Sequence, residues 1–213
     1  MKKEAEKIRQ MGRPKVVPDE VRRRDIILAA ERLFVENGYR GVSMRGIASE
    51  LRISLKTIYR IFPDKAALFN SLIENHRQSV IALPEDYSGF SFVEALYRIF
   101  RVDIDAEEER RKARFIHVML LEGQSSPEVL DIFHRQGPVC SLELLSSWLD
   151  GEQKRGRIRL QGDPHIAARM LMNTAFGAMS YKGDADPSWE AAEERTVYLR
   201  ASLKMIAEGL QPK

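Results

Sequence analysis

Four residues within five positions, Lys56, Thr57, Tyr59 and Arg60, combine two cationic heads with two hydroxyl groups. Such donors suit a nucleic acid: ammonium and guanidinium groups meet phosphates and base-edge acceptors, and hydroxyls add neutral donors to phosphate oxygens. The neighbouring Leu55 offers an apolar contact of the kind a thymine methyl accepts. No competing chemistry is assembled elsewhere. There is no glycine-rich phosphate loop and no serine–histidine–aspartate framework. The four histidines, His76, His117, His134 and His165, are scattered without metal-ligand spacing. Neither an enzyme nor a cofactor is expected. The one cysteine, Cys140, excludes an internal disulfide and a cysteine-based zinc site, which fits a reducing, cytoplasmic setting.

Charge is distributed in the same sense. Residues 1–65 carry 16 Lys+Arg against 9 Asp+Glu, whereas residues 66–213 carry 18 against 22. The first third is suited to a polyanion and the remainder is not. A solvated basic helix face has the same composition. The overall balance, 44% hydrophobic and 31% charged, is that of an ordinary globular chain. No apolar run reaches the roughly 18–20 residues a membrane span needs. The opening MKKEAEKIRQ has no apolar stretch behind it and is not expected to be a secretory signal.

The elements that must position the donor cluster are helical. Residues 1–20 lack apolar periodicity and are expected to form a flexible basic arm. Within it, Gly12-Arg13-Pro14-Lys15 resembles the core of an AT-hook; an arm in an A·T minor groove and a tail without specific contacts are both compatible with it. Ile26, Ile27, Ala30, Leu33 and Phe34 then form one helical stripe, ended by Asn37-Gly38. Ser43 is placed to cap a short helix that turns Met44, Ile47, Ala48 and Leu51 inward, and Ser54 to cap a second with Ile58 and Phe62 inward. Arg52-Ile53-Ser54 is the turn between them, and Asp64 caps a longer helix from about Lys65 to Ile81. Two short helices across a tight turn are a helix-turn-helix, here residues 43–62 within a unit of 21–67. Further helices are expected over about 90–105, 107–122, 127–155, 163–181 and 188–209. The fold class is all-α. Arg157-Ile158-Arg159-Leu160 is the only strand-like stretch and is too short to build a sheet.

Residues 47–69, IASELRISLKTIYRIFPDKAALF, resemble the signature of the TetR family of transcriptional regulators. Ile47, Ala48, Ser54, Thr57, Tyr59, Phe62, Lys65 and Leu68 match, as do Ala29-Ala30 through Phe34, Gly38-Tyr39 and Val42-Ser43 upstream. Three positions depart from the pattern. Arg52 stands where glycine is usual, Lys56 where glycine or proline is frequent, and Ile61 where histidine or tyrosine is usual. The resemblance implies a DNA-facing set of Arg45, Ser54, Leu55, Lys56, Thr57, Tyr59, Arg60 and Lys65. Leu55 and Lys56 are placed to read bases, and Thr57 and Tyr59 to hold phosphates. Arg45 and Arg60 can do either, and Lys65 holds a phosphate at a helix N-terminus.

The resemblance also implies that residues 68–213 bind a small-molecule effector and form a homodimer, so that two recognition helices meet a palindromic operator. Phe115 to Met179 looks like a C-terminal domain of some TetR regulators, on its acidic-aromatic segment near Pro127–Gln136 followed by Gly137-Pro138. Phe115, His117, Met119, Phe133, Cys140, Leu144, Trp148, Met172 and Phe176 are the candidate lining of a largely hydrophobic effector pocket; ordinary core packing is the competing reading of each. Pairing surface is expected on the last two helices, around Ala167, Met170, Leu171, Thr174, Ala175 and Ala178, then Val197, Tyr198, Ala201, Leu203, Met205 and Ile206. The functional expectation is a repressor released by its effector. The alternative is a helical nucleic-acid or protein binder without sequence specificity, which the long acidic portion disfavours.

Overall fold

The structure, a computed structural model, describes residues 18–177 and 192–212. Most of the basic arm, including Gly12-Arg13-Pro14-Lys15, lies outside the described residues, as does Ala178 with the chain to residue 191. Among the described residues there are ten α-helices, one π turn and no strand. None of these helices is long and apolar enough to cross a membrane.

The first four helices follow local signals. α1 spans Asp19–Gly41 and opens with Asp19 and Glu20, whose charges suit the positive end of the helix dipole. Its buried stripe includes Ile26, Ile27, Ala30 and Phe34. Gly38 breaks it with φ at +69°, a conformation glycine adopts without steric penalty. α2 (Met44–Glu50) starts on Ser43, whose hydroxyl accepts from the Gly46 N–H at 3.1 Å. α3 (Leu55–Ile61) starts on Ser54 in the same way, accepting from the Thr57 N–H at 3.1 Å. α4 (Lys65–Val80) starts on Asp64, which accepts from the Ala67 N–H at 2.7 Å. Each cap satisfies a backbone donor that the helix itself leaves without a partner.

The remaining helices are α5 (Phe92–Ile99), α6 (Ala106–Ser125), α7 (Pro127–His134), α8 (Cys140–Lys154), α9 (Pro164–Phe176) and α10 (Ala192–Gly209). Two of them differ from the sequence expectation. The helix expected over 90–105 stops at Ile99, because Arg101 turns left-handed at φ +46° and the Val102 N–H bonds back to the Tyr97 carbonyl at 3.0 Å. Neither glycine nor proline marks that stop. The stretch expected as one helix over 127–155 is helical from Pro127 to Lys154 but carries a π turn, Arg135–Val139, that contains Pro138. Proline has no N–H to continue an α ladder, and the wider turn accommodates it. Arg157–Leu160 forms no strand; Arg159 donates one backbone bond to Leu210 at 2.8 Å.

Two apolar cores organise these helices. The first joins α1 to α4 through Ile26, Phe34, Ile47, Ile58, Phe62 and Phe69, and it is completed by Phe115 and Met119 of α6 and Val129, Ile132 and Phe133 of α7. The second gathers α5, α8, α9 and α10 around Leu96, Leu145, Leu149, Leu171, Leu199 and Leu203. α4 runs from one to the other. Leu68, Phe69, Leu72 and Ile73 belong to the first core, and Ile81, just past its end, belongs to the second.

Candidate nucleic-acid interface and internal cavity

The turn between α2 and α3 is closed by two hydrogen bonds. The Arg52 N–H donates to Ser49 O at 3.1 Å and the Ile53 N–H to Ala48 O at 3.0 Å, tying off the last carbonyls of α2. This geometry requires a left-handed residue, and Arg52 supplies it at φ +53°. A non-glycine residue there costs about 1 kcal/mol. Ile53 packs back onto the first core, fixing how α3 crosses α2. Of the α3 side chains, Ile58 is fully buried and anchors the helix, while Lys56, Tyr59 and Arg60 face solvent, Tyr59 at 47% exposure. Arg45 of α2 and Arg52 of the turn are exposed beside them. The outer side of this unit is therefore cationic, with a phenol among the charges.

The other members of the expected set are held differently. Leu55 is half-buried against the first core. Ser54 spends its hydroxyl on the helix cap, and the Thr57 hydroxyl lies 2.8 Å from it. Arg60 forms a two-point ion pair with Asp19 at the start of α1, with Nη2 to Oδ1 at 2.7 Å, and the guanidinium holds the Asp19 carboxyl below its usual range. Sequence reasoning gave no sign of that pair, whose members are 41 positions apart.

Lys65 points its ammonium into the protein. Nζ donates to the Tyr39 carbonyl and sits 4.1 Å from the centre of the Tyr39 ring. Burial lowers its pKa, opposed by the Glu122 carboxylate. Glu122 completes the arrangement: its Oε2 accepts from the Tyr39 N–H at 2.8 Å. Both polar groups of Tyr39's backbone are thus clamped, the N–H by α6 and the carbonyl by α4. Arg40 adds a bond from Nη2 to Ser125 O at 3.0 Å. These contacts fasten the α1–α2 corner to the end of α6, and nothing in the local sequence pattern indicates them.

A cavity of about 410 Å³ lies at the junction of the two cores. α4 contributes Ile73, His76, Arg77 and Val80, and α6 contributes Ile116 and Leu120. Phe133, the π-turn residues Gly137 and Pro138, and Met172 and Phe176 of α9 form further walls. Of the nine residues expected to line one pocket, only Phe133, Met172 and Phe176 do so directly. Phe115 lies behind the wall with its ring centre 4.2 Å from that of His76, and Met119 is fully buried in the first core. Cys140 is half-buried and close to Arg77, with burial pushing its thiol pKa up.

Leu144 and Trp148 belong elsewhere. They line a separate cavity of about 310 Å³ beside Leu83 and Tyr87, and Trp148 is stacked on Phe92 at 5.4 Å. His117 faces a cleft of about 940 Å³ between α1 and α6, walled by charged groups such as Glu31, Arg110, Arg111 and Arg114. That cleft is larger than the other two, but it is ringed by ionisable side chains, whereas the 410 Å³ cavity is walled mainly by aliphatic and aromatic ones.

The cations around the 410 Å³ cavity are paired, and Ser141 and Asn173 add a hydroxyl and an amide to its lining. Arg77 donates from Nε and Nη2 to Glu74 at 2.8 and 2.7 Å and from Nη1 to Leu83 O at 2.9 Å. The buried Lys112 ammonium lies 2.7 Å from Glu108. His76, 6% exposed, has no partner for Nε2. Burial, with Lys112 and Arg111 nearby, lowers its pKa to about 3, so the ring is neutral.

Comparison with known proteins agrees with this architecture. Residues 26–72 match the family described as "Bacterial regulatory proteins, tetR family". Residues 94–206, more than half of the chain, match the "AefR-like transcriptional repressor, C-terminal domain". The HTH-type transcriptional regulator UidR of Escherichia coli K12 is 25% identical over 156 residues, 73% of this chain and 78% of UidR. Among solved structures, Salmonella enterica GusR superposes with a TM-score of 0.64 at 25% identity, covering 91% of this chain and 99% of GusR. The Flavonoid-responsive Regulator FrrA gives 0.60 at 26% identity, covering 91% and 99%. The chain belongs to the TetR family and is a DNA-binding transcriptional regulator rather than an enzyme.

Proposed function

We propose that this regulator is a cytoplasmic repressor whose homodimer grips a palindromic operator and lets go when a small, mainly hydrophobic effector fills the α4–α6–α9 cavity. Residues up to about 67 read DNA. The remainder senses and pairs. Arg45, Lys56 and Tyr59 are the groups that meet the duplex, while Arg60 is held back by its pair with Asp19; Lys56 reads a base at the groove floor and Tyr59 holds a phosphate. Ser54 and Thr57 shape the start of the reading helix, and Lys65 fixes the helix behind it.

The observation that carries the reading is the course of α4. Its 16 residues span about 24 Å, beginning beside the reading unit and ending in the cavity wall with His76, Arg77 and Val80. A molecule that pushes on that wall tilts a rod whose other end sets the reading helix. Linked sites of this kind couple by about 1–3 kcal/mol, a 5- to 150-fold change in DNA affinity. Apolar side chains left exposed on α9 and α10, Ile166, Met170, Val197 and Met205, support pairing through those helices. The name of FrrA, which answers to flavonoids, supports a planar organic effector.

Footprinting on the chromosomal region flanking the gene tests the reading. A discrete protected palindrome is expected, together with its loss in the Lys56→Ala/Tyr59→Phe double variant while the fold and dimer persist. Uniform coverage, or unchanged protection by the variant, contradicts it.

A further inference from the structure

We infer that the cavity between α4, α6 and α9 takes an uncharged aromatic compound bearing a hydroxyl group, and that His76 Nε2 is the hydrogen-bond partner of that hydroxyl. The inference rests on the reading of this cavity as the effector site and adds the chemical class of the occupant.

Charge limits what the cavity can hold. The cations at the wall are already committed, Arg77 to Glu74 and the Leu83 carbonyl, Lys112 to Glu108. A carboxylate entering the cavity finds no free counter-charge, and the hydration it gives up against the apolar wall is not replaced. An ammonium meets the same obstacle from the Arg77 side.

The histidine supplies the polar contact. Four buried side-chain polar atoms among the described residues lack a hydrogen bond, and three of them, on Lys112, Glu152 and Arg195, sit in ion pairs. His76 Nε2 alone has neither. A buried polar atom without a partner is destabilising, and one carried by a residue of a cavity wall offers its missing bond to a molecule that enters. Phe115 packs against one face of the ring, so the imidazole is held in place rather than free to turn toward solvent. A neutral imidazole nitrogen donates in one tautomer and accepts in the other. A hydroxyl group serves both, since it can accept and donate; a ketone oxygen or an amine serves only one well.

Shape and surface favour an aromatic occupant. Ile73, Ile116, Leu120, Phe133, Met172 and Phe176 give the cavity apolar and aromatic walls, and about 410 Å³ accommodates a two-ring molecule. Methionine and the π turn allow the wall to follow an irregular outline.

The test uses three probes on the full-length protein: 4-hydroxybiphenyl, biphenyl and biphenyl-4-carboxylate, titrated calorimetrically, with operator affinity measured in parallel. 4-Hydroxybiphenyl is expected to bind about tenfold more tightly than biphenyl, the yield of one net hydrogen bond to a buried partner, and the carboxylate more weakly than both. In His76→Phe, which keeps an aromatic ring and removes both nitrogens, the preference for the hydroxyl should disappear while biphenyl still binds. His76→Gln should retain part of it. Ile116→Trp, which fills the cavity, should abolish binding of all three. Equal binding of the hydroxylated and plain probes, tightest binding of the carboxylate, no binding of any probe, or binding indifferent to Ile116→Trp each overturns the inference. Selective binding through His76 that leaves operator affinity unchanged instead upholds the recognition and refutes the proposed release mechanism.

Discussion

Removing the Glu122 carboxylate should loosen the whole α1–α2 corner, because a single oxygen holds the Tyr39 N–H at 2.8 Å. The bond is charge-assisted and half-buried. Such bonds contribute about 1.5–3 kcal/mol, and partial access of water to the freed N–H lowers the expected loss for Glu122→Ala to about 1–2 kcal/mol. For a chain of this length that corresponds to a fall in Tm of about 2–8 °C. Urea unfolding of variant and parent at one protein concentration measures it, since a dimer's apparent stability depends on concentration. Two controls separate the hydrogen bond from bulk charge. Glu122→Gln keeps an acceptor oxygen and should lose less than half as much. Gly38→Ala places a Cβ 2.6 Å from Glu122 Oε1 in a left-handed backbone position, so it should destabilise by a similar amount through the same contact. A Glu122→Ala protein within about 0.5 kcal/mol of the parent refutes the clamp, as does a Gln variant as unstable as the Ala variant.

Other perturbations test different links. Asp19→Ala releases Arg60 from its ion pair, and the freed guanidinium should make a phosphate contact: operator binding tightens at low salt and the slope of log affinity against log salt steepens by about one; an unchanged slope means that Arg60 already reaches the backbone or never does. Arg52→Gly relieves the left-handed arginine and should raise stability by about 0.5–1 kcal/mol, while the loss of an exposed charge weakens DNA binding slightly; a destabilised variant contradicts the strain. His76, neutral in the folded state with its pKa at about 3 and near 6.5 when unfolded, contributes stability in full above pH 6.5 that is lost as the pH falls toward 3, because the unfolded chain takes up the proton first. Between pH 7.5 and 5 the parent should lose about 2 kcal/mol more than His76→Phe, and parallel stability curves for the two would show that the ring is not shielded in this way.

What was legible in the sequence was local. Ser43, Ser54 and Asp64 each bond to a backbone N–H three positions ahead, so residue type and spacing within one turn were enough to place the starts of α2, α3 and α4. The left-handed Arg52 was legible only through the resemblance, which puts glycine at that position, because an arginine by itself gives no local sign of the conformation. Contacts between distant segments left no such trace. Asp19 with Arg60, and Glu122 with Tyr39, are 41 and 83 positions apart, and nothing near either residue sets its partner. The cavity was legible only in part for a related reason. An apolar stripe specifies which side chains turn inward, and Phe115, Met119, Leu144 and Trp148 do; whether the space they face is filled by a neighbour or left open depends on how the helices cross. His76 is not legible in the sequence because a lone histidine on a helix face carries no pattern, and its meaning comes from Phe115 beside it and from the missing partner.

The π turn at Arg135–Val139 gives the chain a place where its length can change by one residue at little cost. An α turn that loses a residue rotates everything after it by about 100°, which at Ser146 would swing Leu149 out of its core. The wide turn already holds one residue more than an α ladder needs. Deleting Pro138, the residue that cannot continue an α ladder, would let the flanking backbone close into ordinary α geometry, with Leu145 and Leu149 still facing α9 and only the outline of the chamber at this turn redrawn. The segment is a built-in spacer, through which the contour of the chamber can be altered while the docking of α8 stays in register.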